Sequence, residues 1–185
     1  MNVKGTAVTT IPLFIKSKFG EVAYNKWLNA LAPASQKIFT TGVLVSSWYP
    51  LDDALIHSTL KICELFYSGN LNGAVDQGRF SAEHALKGIY KLFVKLGSVD
   101  FIIAKASSIL PTYYAGSAMS VVHKGDKTTT VRITRFDGIH TVIEHRIKGW
   151  IERALEISGA NNPRAKIASS MAAGAPVTDF VITWN

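Results

Sequence analysis

The apolar positions of this chain recur with a helical period as far as Pro111 and with a largely alternating one beyond it. Thr9-Thr10-Ile11-Pro12 offers a capping hydroxyl and a proline suited to a first turn. From there Phe14, Ile15, Phe19, Val22, Ala23, Trp27, Leu28 and Leu31 follow at three- and four-residue intervals and predict a helix with one buried face. Gly20 weakens its middle and leaves a break there open, and Pro33 ends it. Ile38 to Tyr49, rich in Thr, Val, Phe and Trp, reads as extended. After Pro50, Asp52 and Asp53 suit a helix N-terminus, and Leu55, Ile56, Thr59, Leu60, Ile62, Cys63 and Phe66 carry that helix to Tyr67, where Ser68-Gly69-Asn70 stops it. Leu71 to Leu96 is helical again, in two pieces divided between Gly78 and Ser81, the second burying Ala85, Leu86, Ile89, Tyr90, Leu92, Phe93 and Leu96. Ser98 caps a further helix through Phe101, Ile102, Ala106, Ile109 and Leu110, which Pro111 terminates.

Beyond Pro111, Tyr113 to Val122 leads into the turn Lys124-Gly125-Asp126-Lys127. Thr128 to Phe136 then alternates, with Val131, Ile133 and Arg135 on one face, so the two segments predict a hairpin. Asp137-Gly138 turns the chain into a helix over Thr141 to Ser158, with Ile143, Ile147, Trp150, Ile151, Ala154 and Leu155 inside, Glu144, Lys148, Glu152 and Glu156 outside, and Gly159 as its C-terminal cap. A second hairpin, Arg164 to Met171 and Val177 to Trp184, turns at Gly174-Ala175-Pro176. The expected fold is α+β, with N-terminal helices packed on a four-stranded antiparallel sheet whose order along the chain is strand-strand-helix-strand-strand.

Composition narrows the class. A chain of 185 residues, 48% apolar, suits one domain, with a mainly helical half over 1–111 and a sheet-containing half over 112–185. The net charge of +7 is scattered, without basic runs interleaved with aromatic residues, and reads as a solvated surface rather than a nucleic-acid footprint. A single cysteine, Cys63, allows no intramolecular disulfide and fits a reducing compartment. No apolar run reaches the length of a bilayer span and no signal peptide is evident, so a cytoplasmic location is expected.

Several motifs resemble one superfamily, shared by haem-nitric-oxide-binding sensor domains, 4-vinyl reductase ligand-binding domains and TRAPP vesicle-trafficking subunits. They are Lys4-Gly5 opening onto a helix with Phe19-Gly20-Glu21 and Trp27, the Trp48-Tyr49-Pro50 step before a helix, and Gly149-Trp150 through Ala154-Leu155-Glu156 to Ser158-Gly159. The closing Gly174 to Trp184 is similar to the last strand pair of 4-vinyl reductase domains, and the whole is most similar to a bacterial family of unassigned function placed beside that superfamily. The resemblance implies an apolar cavity between helices and sheet for a small hydrophobic ligand or a lipid chain, and a helical surface for a homodimer or a protein partner. The haem branch uses a histidine on the helix before its sheet and a Tyr-x-Ser-x-Arg clamp, and this sequence has neither; the zinc-bearing relatives use cysteines near the C-terminal hairpin, where this one has Thr178. No cofactor and no metal is therefore expected.

Catalytic chemistry finds little support. His140, Glu144 and His145 have one residue too many between them for an inverted zinc-peptidase motif, and successive helical residues diverge by about 100°. No Gly-x-Ser-x-Gly elbow, no base placed near Cys63 and no phosphate-binding glycine loop is present. The candidate pocket residues are aromatic: Trp48, Tyr49, Phe93, Phe101, Tyr113 and Tyr114, each also explicable as core. Tyr113 and Tyr114 stand out because they follow Pro111 where helices give way to sheet. A non-catalytic ligand-binding or sensor module is the leading expectation, with a structural adaptor acting through its surface as the alternative.

Overall fold

A computed structural model describes residues 1–87 and 99–185. Along the chain lie β1 (Asn2–Lys4), α1 (Gly5–Val8), α2 (Thr10–Phe19), α3 (Glu21–Asn29), α4 (Pro33–Thr40), β2 (Trp48–Pro50), a π-helical turn (Asp52–Ile56) running into α5 (His57–Tyr67), and α6 (Asn72–Lys87). After residues 88–98 come α7 (Val99–Tyr113), β3 (Ala118–Gly125), β4 (Thr128–Arg135), α8 (Thr141–Ile157), β5 (Arg164–Ser169) and β6 (Thr178–Thr183). The architecture is α+β with a four-stranded antiparallel sheet, as the periodicity predicts, and its strands lie in the order β3-β4-β6-β5. The described strands also include a two-stranded ribbon, β1 with β2, pairing Val3 with Tyr49.

The sheet's inner face follows from its register. Val131 lies opposite Phe180, Ile133 opposite Thr178 and Ala165 opposite Ile182, and all six are buried. On the other face Arg132 stands opposite Asp179, and its Nε and Nη2 donate to the two carboxylate oxygens at 2.7 and 2.8 Å. This fork-to-fork geometry is the strong form of an ion pair. Arg132 holds the Asp179 carboxyl below its ordinary range, against an opposing effect of burial.

In the first half the sequence misleads at proline and glycine. Gly20, at φ +87°, does break the first helix, but Pro33 opens α4 at its first turn instead of ending anything. Ile38 and Phe39 are consequently helical, not extended, because Phe39 buries its ring against Trp27 with centroids 4.8 Å apart. That packing outweighs the weak strand preference of the local sequence. Trp27 is fully buried, and its indole Nε1 donates to the Ser58 carbonyl of α5 at 3.0 Å. Pro111 likewise sits inside the last turn of α7, which continues to Tyr113. Proline forfeits only its own N–H, and the Tyr114 amide still donates to the Leu110 carbonyl at 3.0 Å.

Gly78, expected as a break, lies within a continuous α6 and has a packing role. A Cβ there would overlap the Arg146 carbonyl of α8 and stand 3.0 Å from the Trp150 amide nitrogen. Gly149 of α8 faces α6 in the same way, and a Cβ on it would overlap the Val75 carbonyl, whose carbon is 2.8 Å away. The two helices therefore cross backbone to backbone. The remaining residues of the predicted second piece, Ile89, Tyr90, Leu92, Phe93 and Leu96, lie outside the described residues.

This crossing puts α6 on one side of α8 and the sheet on the other, and no residue from 141 to 158 is exposed. The expectation that Glu144 and Glu152 face solvent is thus corrected: they are 1% and 5% exposed. Glu144 accepts from Thr178 Oγ1 at 2.6 Å, from Ser170 Oγ at 2.7 Å and from the Ala172 amide at 3.4 Å, pinning α8 to the β5–β6 connection. Glu152 accepts from the Ala165 amide at 3.0 Å. Beyond Ser158, Gly159 takes φ +100°, and the amides of Gly159 and Ala160 donate back to Glu156 and Leu155, a Schellman closure of the helix.

Candidate functional site

Three elements that bury apolar faces need not fill the space between them. Here α7, α8 and the inner face of the sheet leave an inner chamber of about 70 Å³. Ile102, Ile103, Ala106, Ile109 and Leu110 come from α7, Met119, Val131 and Ile182 from three strands, and Ile147, Trp150, Ile151 and Leu155 from α8. A second chamber of about 260 Å³ shares Ile102, Ile109, Tyr113 and Trp150 with the first, and adds Ala85 and Leu86 of α6 together with Phe101, Lys105, Ser108 and Thr112 along α7. The shared residues make the two chambers neighbours. Together they form an apolar site with few polar groups, which is the usual composition of a small-molecule pocket.

Polar groups of the inner chamber come from α8 and from the end of α7. Trp150 presents its ring to both chambers, and its Nε1 is buried without an acceptor among the described residues. Tyr114, 3% exposed, accepts at its hydroxyl from Arg146 Nη1 at 3.2 Å, and its ring lies 5.1 Å from that of Phe136. Tyr113 reaches the Trp150 ring at 6.2 Å. Arg146, itself 3% exposed, lines the inner chamber and donates from Nε to Gln77 Oε1 at 3.1 Å. Its Nη2 donates to the Ala7 carbonyl at 3.2 Å and to Thr10 Oγ1 at 3.4 Å.

Of the aromatic residues singled out by sequence, Tyr113 and Tyr114 meet in the inner chamber and Phe101 lines the outer one. Trp48 and Tyr49 stand apart, in β2 of the N-terminal ribbon. Trp48 is 42% exposed with Lys4 Nζ 4.7 Å from its ring centre, and the Tyr49 hydroxyl accepts from the Leu44 amide. Neighbouring strand residues face opposite ways, so Trp48 points outward while Tyr49, opposite buried Val3, packs against the core of the helical half, and neither lines the chambers. Phe93 lies outside the described residues. Arg146 and Trp150 are the polar members that the sequence reading did not assign. The signal was present, since Arg146 falls between Ile143 and Trp150 at helical spacing and therefore on the apolar face.

Histidine, cysteine and carboxylate side chains are not among the described residues that line either chamber. The sequence holds five histidines, and none is among the residues lining either chamber. His140 caps α8 by accepting from the Val142 amide at Nδ1, His145 donates to the Thr141 carbonyl, His57 pairs with Asp53, and His84 stacks on Phe80. Cys63 is buried, and burial pushes its thiol upward. Among the described residues no three of His, Cys, Asp and Glu come together as a metal-binding group.

A helical half leading into a sheet crossed by one buried helix is the fold of the H-NOX proteins. An H-NOX protein from S. oneidensis in the Fe(II)NO ligation state superposes with a TM-score of 0.76 at 10% identity, covering 98% of this chain and 99% of that one. An H-NOX protein from K. algicida in the Fe(II) unliganded state gives 0.69 at 12% identity, covering 98% and 96%. The H-NOX from Shewanella woodyi, bound to IWP-051 in the Fe(II)CO ligation state, gives 0.71 at 12% identity, covering 98% and 94%. No protein-family model and no curated protein matches the sequence. At these identities the likeness establishes the fold.

Proposed function

We propose that this protein is a non-catalytic ligand-binding or sensor module that takes a small hydrophobic molecule or a lipid into the chambers between α7, α8 and the sheet. The observation that carries this reading is the apolar site itself, two neighbouring chambers that share Ile102, Ile109, Tyr113 and Trp150 as walls. The S. oneidensis and K. algicida structures of the same fold are described by the ligation state of an Fe(II) centre. The residues on this chain do not fit a haem held in the manner of the haem-binding branch. Where that branch places a histidine on the helix before the sheet, α7 presents Ile102, Ile103 and Ala106 to the inner chamber, and all five histidines are placed elsewhere. Among the described residues of the inner wall, Met119, Tyr113 and Tyr114 are the only side chains of a type that ligates iron.

Occupancy would act by population shift. A ligand wedged between α7 and α8 favours one packing of those helices on the sheet, and can do so only by as much as it prefers that packing. A protein partner or a second copy of the chain would read the change at the surface. A cytoplasmic module fits this role, and no described helix is long and apolar enough to cross a membrane.

Native mass spectrometry of the purified protein, before and after solvent extraction, tests the reading. The expected result is a co-purifying apolar molecule whose return, at about one hundred times its Kd, raises the melting temperature by about 5–11 °C. A protein that is repeatedly ligand-free and whose melting temperature no apolar compound moves would refute it. The alternative, a structural adaptor, predicts partner capture unchanged by Tyr113→Ala and Tyr114→Ala.

A further inference from the structure

Arg146 is the anomaly of the site. Buried cations are normally paired with a carboxylate, because removing a charge from water is otherwise costly. Arg146 is 3% exposed, yet every acceptor it meets among the described residues is neutral: an amide oxygen, two hydroxyls and a backbone carbonyl. Those four bonds engage Nε once, Nη1 once and Nη2 twice. A guanidinium has five N–H groups, so one on Nη1 is left over, beside the Tyr114 hydroxyl.

Among the described residues, the acids of α6 and α8 are held by other partners. On α8, Glu144 is held by Ser170 and Thr178, Glu152 by the Ala165 amide, and Glu156 by Arg79 and Arg153. On α6, Asp76 accepts from Lys18 and Tyr67. The Gln77 side chain that accepts from Arg146 Nε also leaves its own Nε2 buried without a partner. Arg146, with no carboxylate and a spare N–H, thus stands beside Tyr114 in the wall of a largely apolar chamber, and the orphan Gln77 amide lies directly behind it.

We infer that the ligand is an amphipathic monocarboxylate whose carboxylate pairs with Arg146 in the inner chamber, while its hydrocarbon portion runs past Ile102, Ile109 and Trp150 into the outer one. This deepens the proposed function and rests on it. At about 10–15 Å³ per water-sized group, the inner chamber of about 70 Å³ holds about five to seven heavy atoms. That is room for a carboxylate and the first carbons of a chain, so the remainder must occupy the larger chamber. Arg146 also ties α8 to the N-terminal segment through Ala7 and Thr10. A carboxylate that takes the spare Nη1 N–H and bridges to Nη2 competes there with the weaker neutral acceptors Ala7 and Thr10, so binding loosens the hold of α8 on α1 and α2.

The test is calorimetric titration of the full chain with decanoate and with decanol, both below their micellar concentrations. Decanoate is expected to bind at least tenfold more tightly than decanol, with Arg146→Met abolishing the preference and Arg146→Lys retaining part of it. A charge-assisted hydrogen bond supports a difference on the order of tenfold to a hundredfold. The wild-type comparison stands even where a variant fails to fold. Equal binding of the two probes, or tighter binding of decanol, overturns the inference and leaves the apolar site standing. Binding of neither probe overturns the inference, and the proposed function falls separately only if the extraction experiment also finds no ligand. A decanoate preference that persists in well-folded Arg146→Met overturns the role of Arg146.

Discussion

Replacing Gly149 with alanine adds one methyl group where α8 meets α6, and two effects of opposite sign compete there. In an unencumbered helix the change is favourable by about 1 kcal/mol, because glycine is the poorer helix former. At this position the new Cβ overlaps the Val75 carbonyl and stands 3.0 Å from the Val75 Cα, which is backbone and cannot rotate away as a side chain could. Overpacking of this kind costs typically 1–3 kcal/mol, and a rigid neighbour puts the site at the upper end or beyond it. The net expectation is a loss of about 2 kcal/mol, equivalent to a melting temperature lower by about 4–8 °C in a chain of this size. Gly78→Ala, which meets the Arg146 carbonyl on the opposite side of the same crossing, should behave alike. The two sites share one interface, so the double variant should cost less than the sum, the first substitution having already parted the helices.

Urea denaturation with the midpoint and slope measured for each variant makes the check. If Gly149→Ala is neutral or stabilising by the amount helix propensity predicts, α6 and α8 separate freely and the close crossing is not what holds α8 in place. The consequence reaches the site, because Arg146 and Trp150 flank this contact on α8. A displaced α8 should also weaken binding in the inner chamber.

Three further outcomes are expected. Glu144→Gln places an amide among three donors, those of Ser170, Thr178 and Ala172, so one or two of them lose their acceptor; a cost of about 2–3 kcal/mol should appear in urea denaturation. Trp27→Phe should cost several times more than Trp150→Phe, since the first abandons the Ser58 carbonyl in a fully buried site while the Trp150 indole N–H has no acceptor to lose; equal costs would refute this. Asp179 has its folded-state carboxyl depressed by Arg132, so its contribution is complete above its ordinary value of 3.8 and is lost as pH falls through the lower folded value; Asp179→Asn should be less stable than the parent at pH 7 and converge with it in acid melts below that point.

The sequence was most legible where one face of an element is wet. The β3–β4 hairpin and the closing strand alternate because only one side of the sheet is covered, and α8 announces its C-terminus through Gly159. Legibility failed where that assumption failed. An amphipathic reading sends Glu144 and Glu152 outward because it allows a helix one buried side, yet α8 has α6 on one side and the sheet on the other. In such a helix the polar residues mark what the neighbours supply: Glu144 meets two hydroxyls and an amide, Glu152 an amide and the Arg79 guanidinium, and Arg146 only neutral oxygens.

The clue in the sequence was Gly149, a residue costing about 1 kcal/mol in a helix interior, which needs a packing reason to sit beside Trp150. Its counterpart Gly78, read as a break, was the other half of the same clue. Two helical glycines that let backbones touch fix α8 at a depth set by main-chain contact rather than by side-chain volume. The apolar side chains on its opposite side then cannot close the remaining gap to α7 simply by moving inward. The chamber is in that sense a consequence of the crossing: α8 is held against α6 by glycine, against the β5–β6 connection by Glu144, and against the N-terminal helices by Arg146. Of these three restraints the Arg146 bonds are the ones a ligand in the chamber can reach and replace.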